Sequence, residues 1–269
     1  MRRRLLSGFL ARPRPGERVS GAPRVVVAID GPAASGKSST AAWVAEKLGV
    51  RHVDSGALYR AATAAALRSG QPSEGWTEGF VLERAAAITL VAGAHSFVPL
   101  IDGAPLDEEL RSGAVTKHVS RVAKMPGVRS WVNTHVRRSA EHDDVVVDGR
   151  DIGTAVFPDA EVKIFLVADP WERARRRLVQ RLGRRPTDEE IAAETERLVQ
   201  RDARDATQTA QANDAILIDT TYLTQPEQVE RIVALVRAAA RRPTDEGATG
   251  DDGTPSGGTP SIDGAGGAG

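Results

Sequence analysis

Residues 24–40, "RVVVAIDGPAASGKSST", limit what this chain can fold into more than any other stretch. A β-branched run ends at Gly31, and an apolar pattern of helical period begins just after Gly36, Lys37 and Ser38. A buried strand that passes through a glycine-bearing loop into a helix is the first half of a β-α-β unit, which requires a parallel sheet. The loop itself, "GPAASGKS", fits the pattern G-x-x-x-x-G-K-[ST] at every defined position. Its glycines let backbone N–H groups turn inward around a phosphate chain, and the helix N-terminus adds partial positive charge. Gly31, Pro32, Ala33, Ala34, Ser35, Gly36, Lys37, Ser38 and Ser39 are therefore expected to cradle the phosphates of a nucleoside triphosphate. Lys37 would reach the terminal phosphates and the Ser38 hydroxyl would ligate magnesium. GTPases, transport ATPases and small-molecule kinases all carry such a loop, so the motif alone leaves the reaction open.

The rest of the chain continues the alternation. "DVVVDG" (144–149), "VKIFLVA" (162–168) and "AILIDT" (215–220) are short runs of the kind buried in parallel sheets, and "RHVDS" (51–55) is a weaker one. Ala41, Val44, Ala45 and Leu48 repeat at helical spacing, and Gly49 stops that helix. "DPWERARRRLVQRL" opens with Asp169 as N-cap and Pro170 at the first helical position. "TDEE" (187–190) and "TQPE" (224–227) read as capping boxes, and Val229, Ile232, Val233 and Val236 give the last helix its apolar face. Between the second and third sheet strands, residues 86–107 read as hairpin strands turning at Ala92–Gly93 and Asp102–Gly103, followed by a basic helical stretch. An insertion there would sit at the carboxyl ends of the strands, where open α/β sheets bind ligands.

Composition removes several classes of function. The 269 residues carry 36 basic and 36 acidic side chains, so no bulk charge draws the chain to nucleic acid or an anionic membrane. The absence of cysteine excludes disulfides, thiolate nucleophiles and cysteine-ligated metals, and fits a cytoplasmic location. The five histidines show no metal-ligand spacing. No apolar run approaches the ~18 residues of a membrane span. Residues 1–23 mimic a signal peptide, but the apolar part is short and broken by Ser7 and Gly8, which leaves a disordered basic tail. Residues 242–269, rich in Gly, Ser, Pro and Asp, read as a second disordered tail. Function is expected within 24–241, as one domain with insertions.

"VDSGALYR" (53–60) and "VVVDGRDIGTAVFPDAEVKIFLVA" (145–168), taken with the phosphate loop and "RDARD" (201–205), resemble the bacterial cytidylate kinases. That resemblance covers nearly all of 24–241 in the right order. It implies an α/β P-loop fold of three layers around a five-stranded parallel sheet, with core segments 24–69 and 144–241. An acceptor-binding insert at about 70–143 and a helical lid at about 171–208 complete the implied plan. The implied reaction moves the γ-phosphoryl group of ATP to CMP or dCMP with magnesium, in a protein expected to be monomeric. An enzyme acting on UMP or AMP, or an ATP-binding module without turnover, stays open as an alternative. The intact Lys37 and Ser38 argue against the last.

By the same resemblance Ser55, Arg60, Arg129 and Asp151 hold the acceptor nucleotide, and Ser120 and Asp205 contact its ribose. Arg111 and Arg150 are further phosphate ligands. Asp148 is expected to order the water shell of magnesium, with Asp30 competing for that role. Phosphoryl transfer needs positioning and charge neutralisation rather than a covalent residue, so arginines should surround the transferred group. Arg173, Arg176, Arg177, Arg184, Arg185, Arg201 and Arg204 supply them, with Arg201 and Arg204 the expected catalytic pair beside Asp205 on one helix face. A solvated helix laced with ion pairs is the plainer reading of 173–185, as an N-cap is for Ser55 and a turn residue for Asp151. One position departs from the family: Gln208 stands where the lid pattern has another arginine.

Overall fold

The structure, a computed structural model, describes residues 25–106 and 108–241; both expected tails lie outside them. The five expected strands form a single parallel sheet. They are β1 (Val26–Asp30), β2 (Arg51–Asp54), β6 (Val145–Asp148), β7 (Val162–Val167) and β8 (Ile216–Asp219), in the order β2-β6-β1-β7-β8. The motif strand β1 is central, so the phosphate loop emerges from the middle of the sheet's carboxyl edge. Helices cover both faces. α1 (Lys37–Leu48) and α8 (Gln225–Arg241) lie on one; α2 (Ser55–Arg68), α3 (Glu78–Ala85), α4 (Gly113–Val122) and α5 (Pro126–Ser139) gather over the other.

Strand alternation decides which core each side chain joins. Val27, Ile29, Val146, Ile164 and Leu166 pack with Ala41, Val44, Ile232 and Val236. Their neighbours Val26, Ala28, Val53, Val145 and Val147 face Leu58, Val81, Val115 and Val132. Strands buried on both faces read as continuous apolar runs, which is why these segments show no polar alternation. Burying each such aliphatic side chain stabilises the fold by roughly 1.5–3 kcal/mol.

A second sheet, β3 (Ile88–Ala92), β4 (Phe97–Ile101) and β5 (Ala104–Pro105), is antiparallel and turns at Asp102–Gly103 as expected. Two further helices, α6 (Pro170–Leu182) and α7 (Asp188–Asp205), pack on each other. The Asp169 carboxylate caps α6 by accepting from Trp171 N and Glu172 N, and Thr187 with Glu190 forms a complete capping box on α7. Ala174, Leu178, Ile191 and Leu198 make a small core that closes over Ala33 of the phosphate loop. None of the described helices is long and apolar enough to cross a membrane.

Candidate active site

The phosphate loop owes its shape to backbone freedom and close approach. Gly31 has φ +148°, and a Cβ there would lie 2.1 Å from the Leu166 carbonyl oxygen, so no other residue fits. Gly36 caps α1 with φ +88°, a left-handed conformation that costs an L-residue about 1–2 kcal/mol. Lys37 Nζ folds back over the loop and donates to Pro32 O at 2.6 Å. Burial and the nearby Arg150 charge bring the Lys37 ammonium down to about 8. Ser38 Oγ donates to Asp148 Oδ2 at 2.6 Å. A hydroxyl beside a carboxylate at the foot of a phosphate cradle is an all-oxygen donor pair, which suits a hard cation completed by phosphates and water. Asp30 takes a different part from the one expected of it. Its two carboxylate oxygens accept from Ile152 N at 2.9 Å and Gly153 N at 2.8 Å, so it fastens the turn after β6 and is committed there. Burial raises its pKa to about 6 against the pull of those two donors.

From this loop a cleft of about 200 Å³ runs between α2, α4, α5, the β6 turn and α7. Lys37 and Ser38 line one part; Ser55, Arg60, Ser120, Arg129, Arg150, Asp151, Arg201 and Asp205 line the rest. Ser55 is the first residue of α2, but Asp54 is its N-cap and accepts from Ala57 N, which leaves the Ser55 hydroxyl to donate to Asp148 O at 2.8 Å. Arg60 donates to Leu110 O at 3.1 Å, and burial lowers its pKa. Arg129 Nη2 pairs with Asp151 Oδ2. Burial raises the Asp151 pKa, and the Arg129 charge opposes that rise. Arg150 Nη2 lies 3.0 Å from Asp205 Oδ2, and Arg201 Nε lies 3.5 Å from the same oxygen. Arg201 Nε and Asp205 Oδ1 are buried without a hydrogen-bond partner, two polar atoms left open beside the cleft. Buried polar groups are otherwise almost always paired, so the Arg201 donor fits a ligand's phosphate or hydroxyl oxygen and the Asp205 acceptor fits a ligand's hydroxyl.

Two expected residues lie elsewhere. Arg204 is exposed and donates to its own helix at Gln200 O, 3.1 Å away. Consecutive helical residues point about 100° apart, so a helix that turns Asp205 to the cleft turns Arg204 off it. Arg111 is exposed in the turn before α4, away from the lining, although its charge helps lower the Arg60 pKa. The other arginines separate into four uses. Arg177 reaches the cleft wall while its Nε pairs with Glu194 Oε1 at 2.9 Å. Arg176 donates to Thr220 O and Thr221 O at the end of β8, and Arg184 pairs with Glu190 at the surface. Arg173 is buried and ties Ala33 O to Asp202. Spacing did not single out Asp54, Tyr59 and Asn133, which also line the cleft, and Gln208 stands on its wall beside Asp205.

A second cleft of about 820 Å³ opens on the other side of the phosphate loop. Gly36, Ser39 and Thr40 line it together with Arg175, Arg176 and residues 221–225. Ala34 borders both spaces, so the loop divides two adjoining sites.

The model of the cytidylate kinase family matches residues 27–238. The cytidylate kinase of Geobacillus kaustophilus is 44% identical over 79% of this chain and 96% of its own length. That of Thermus thermophilus is 43% identical over 80% of this chain and 99% of its own. A bifunctional pantoate ligase/cytidylate kinase from Synechococcus is 41% identical over 88% of this chain, which spans only 46% of that longer protein. The matched region holds both clefts and the loop between them, and this chain belongs to the cytidylate kinase family.

Proposed function

We propose that the protein transfers the γ-phosphoryl group of ATP to CMP or dCMP, giving ADP and CDP or dCDP. One observation carries the reading. The phosphate loop separates two clefts, one large and open, the other walled by five arginines (Arg60, Arg129, Arg150, Arg177 and Arg201) with Asp151 and Ser55. ATP occupies the first, with its phosphates threaded through residues 31–39, and the nucleoside monophosphate occupies the second. The stretch 70–143 acts as the acceptor-binding insert and 171–208 as the lid.

An acceptor phosphate oxygen attacks the γ-phosphorus in line as the bond to the ADP oxygen breaks, so the protein's task is alignment and charge neutralisation. Lys37 follows the β- and γ-phosphates. Arg150, Arg177 and Arg201 surround the transferred group, and Arg60 and Arg129 grip the acceptor's phosphate in the bidentate manner that guanidinium allows. Asp151 accepts from the exocyclic amine of cytosine; uracil carries a carbonyl oxygen there, so it would set one acceptor against another and lose the contact. Ser120 and the open Asp205 Oδ1 take the ribose hydroxyls. Ser38 would hold magnesium and Asp148 would accept from its water shell; when bound, that ion would offset phosphate charge. The protein acts as a cytoplasmic monomer. Incubation with ATP, magnesium and CMP, followed by chromatographic separation, tests the reading. CDP and ADP should appear in equal amounts, and ATP hydrolysis without CDP would overturn it.

A further inference from the structure

His52 is buried on β2, with no family motif attached to it and no place in the chemistry above. The register explains where it points. Asp54 stands opposite Asp148 across the β2–β6 pair, and His52 precedes Asp54 by two residues, so all three side chains share one face of the sheet. His52 Nε2 lies 2.7 Å from Asp148 Oδ1, while Ser38 Oγ lies 2.6 Å from Oδ2 of the same carboxylate. A carboxylate accepts, so the imidazole donates through Nε2–H. The His52 backbone is fixed as well: its N–H donates to His95 O at 2.9 Å, tying β2 to the loop of the antiparallel sheet.

We propose that His52 is a positioning residue that orients the Asp148 carboxylate toward the magnesium held by Ser38. A carboxylate hydrogen-bonded only through Ser38 could rotate about its Cβ–Cγ bond once that hydroxyl turns to a metal ion. With His52 anchoring Oδ1, Oδ2 stays aimed at the Ser38 position and the water shell there. The like-charged neighbour Asp54, raised to about 6 by burial and by the Asp148 charge, makes the need for such an anchor greater. Partners of this kind around a metal site change metal affinity by roughly 10–100-fold when removed.

The inference rests on Ser38 and Asp148 as the magnesium site but not on the identity of the acceptor, so its test omits the acceptor. Binding of a non-hydrolysable ATP analogue is measured by calorimetry with and without magnesium, in the parent and in His52→Leu, His52→Asn and His52→Gln. Magnesium should strengthen binding in the parent, and His52→Leu should reduce that gain about tenfold with metal-free affinity unchanged. His52→Gln, whose longer amide can still donate to Oδ1, should restore most of it, and His52→Asn, which stops short, should not. His52→Asn also decides the matter if the leucine variant fails to fold. A magnesium gain equal to the parent's in the Asn variant, or equal losses with and without the ion in every variant, would overturn the proposal.

Discussion

Arg173 offers the sharpest test of how the phosphate loop is held. Its side chain is 5% exposed and satisfies three acceptors: Ala168 O at 3.0 Å, Ala33 O at 2.9 Å and Asp202 Oδ2 at 2.5 Å. Asp202 Oδ1 in turn accepts from Ala33 N at 3.3 Å, so one buried pair clamps Ala33 from both sides. Arg173→Met keeps the volume and removes all three donors. Breaking a buried pair by deleting one partner costs about 3–5 kcal/mol, and the 23% exposure of the Asp202 side chain favours the lower half of that range. The two orphaned carbonyls bring the total back toward the upper half. For a domain of this size each kcal/mol moves the melting temperature by about 2–4 °C, so differential scanning calorimetry should show a fall of roughly 6–20 °C. Affinity for an ATP analogue should weaken with it, because Ala33 belongs to the cradle. Arg173→Lys should recover only part of the loss, since one ammonium cannot span three acceptors. A melting temperature within about 2 °C of the parent's in Arg173→Met, with analogue affinity unchanged, would refute this reasoning.

Lys37→Ala should lower turnover by orders of magnitude while leaving the melting curve in place; near-parental turnover would remove Lys37 from the chemistry. Because the free ammonium titrates at about 8 and phosphates favour its charged form, metal-free affinity for an ATP analogue should be full below that pH. It should then fall by up to about tenfold per unit above it, and a flat profile to pH 9.5 would contradict this. Asp151→Ala should raise the CMP Michaelis constant and erode the preference over UMP by about 1.5–3 kcal/mol, the worth of a hydrogen bond to a charged group. Unchanged selectivity in steady-state kinetics would make Asp151 only a partner of Arg129. Gln208→Arg should tighten CMP binding, with a gain that shrinks as salt screens the new charge. An unchanged affinity at low salt would show that Arg150 and Arg201 already cover that position.

The fold was legible because its signals are local. The glycine loop after a β-branched run, the two capping boxes and the Gly49 stop each sit within a few residues. Even the weak strand 51–54 was readable, although its partner β6 lies more than ninety residues away. The site was legible only where a motif marks it. Which arginine of α6 faces inward depends on the packing of α7 across it, so the run 173–185 could not separate buried Arg173 and cleft-lining Arg177 from surface Arg184. The turned-out Arg204 has the same origin: i, i+3 spacing defines a broad stripe but not the line within it that meets the wall. Asp30 and His52 were out of reach for another reason. Their partners, Ile152 with Gly153 and Asp148, come from neighbouring strands and turns, and strand register leaves no local trace in a chain whose core strands are apolar on both faces.

The central claim is that the arginine-walled cleft takes a cytidine monophosphate and passes it a phosphoryl group. ADP release coupled to a spectrophotometric readout, with ATP and magnesium held constant and CMP, dCMP, UMP or AMP varied, tests it most directly. The account predicts that kcat/KM for CMP and dCMP exceeds that for UMP and AMP by at least about tenfold, the worth of the amine contact at Asp151. Equal or greater kcat/KM with UMP or AMP, or ADP release that ignores the acceptor altogether, would contradict it.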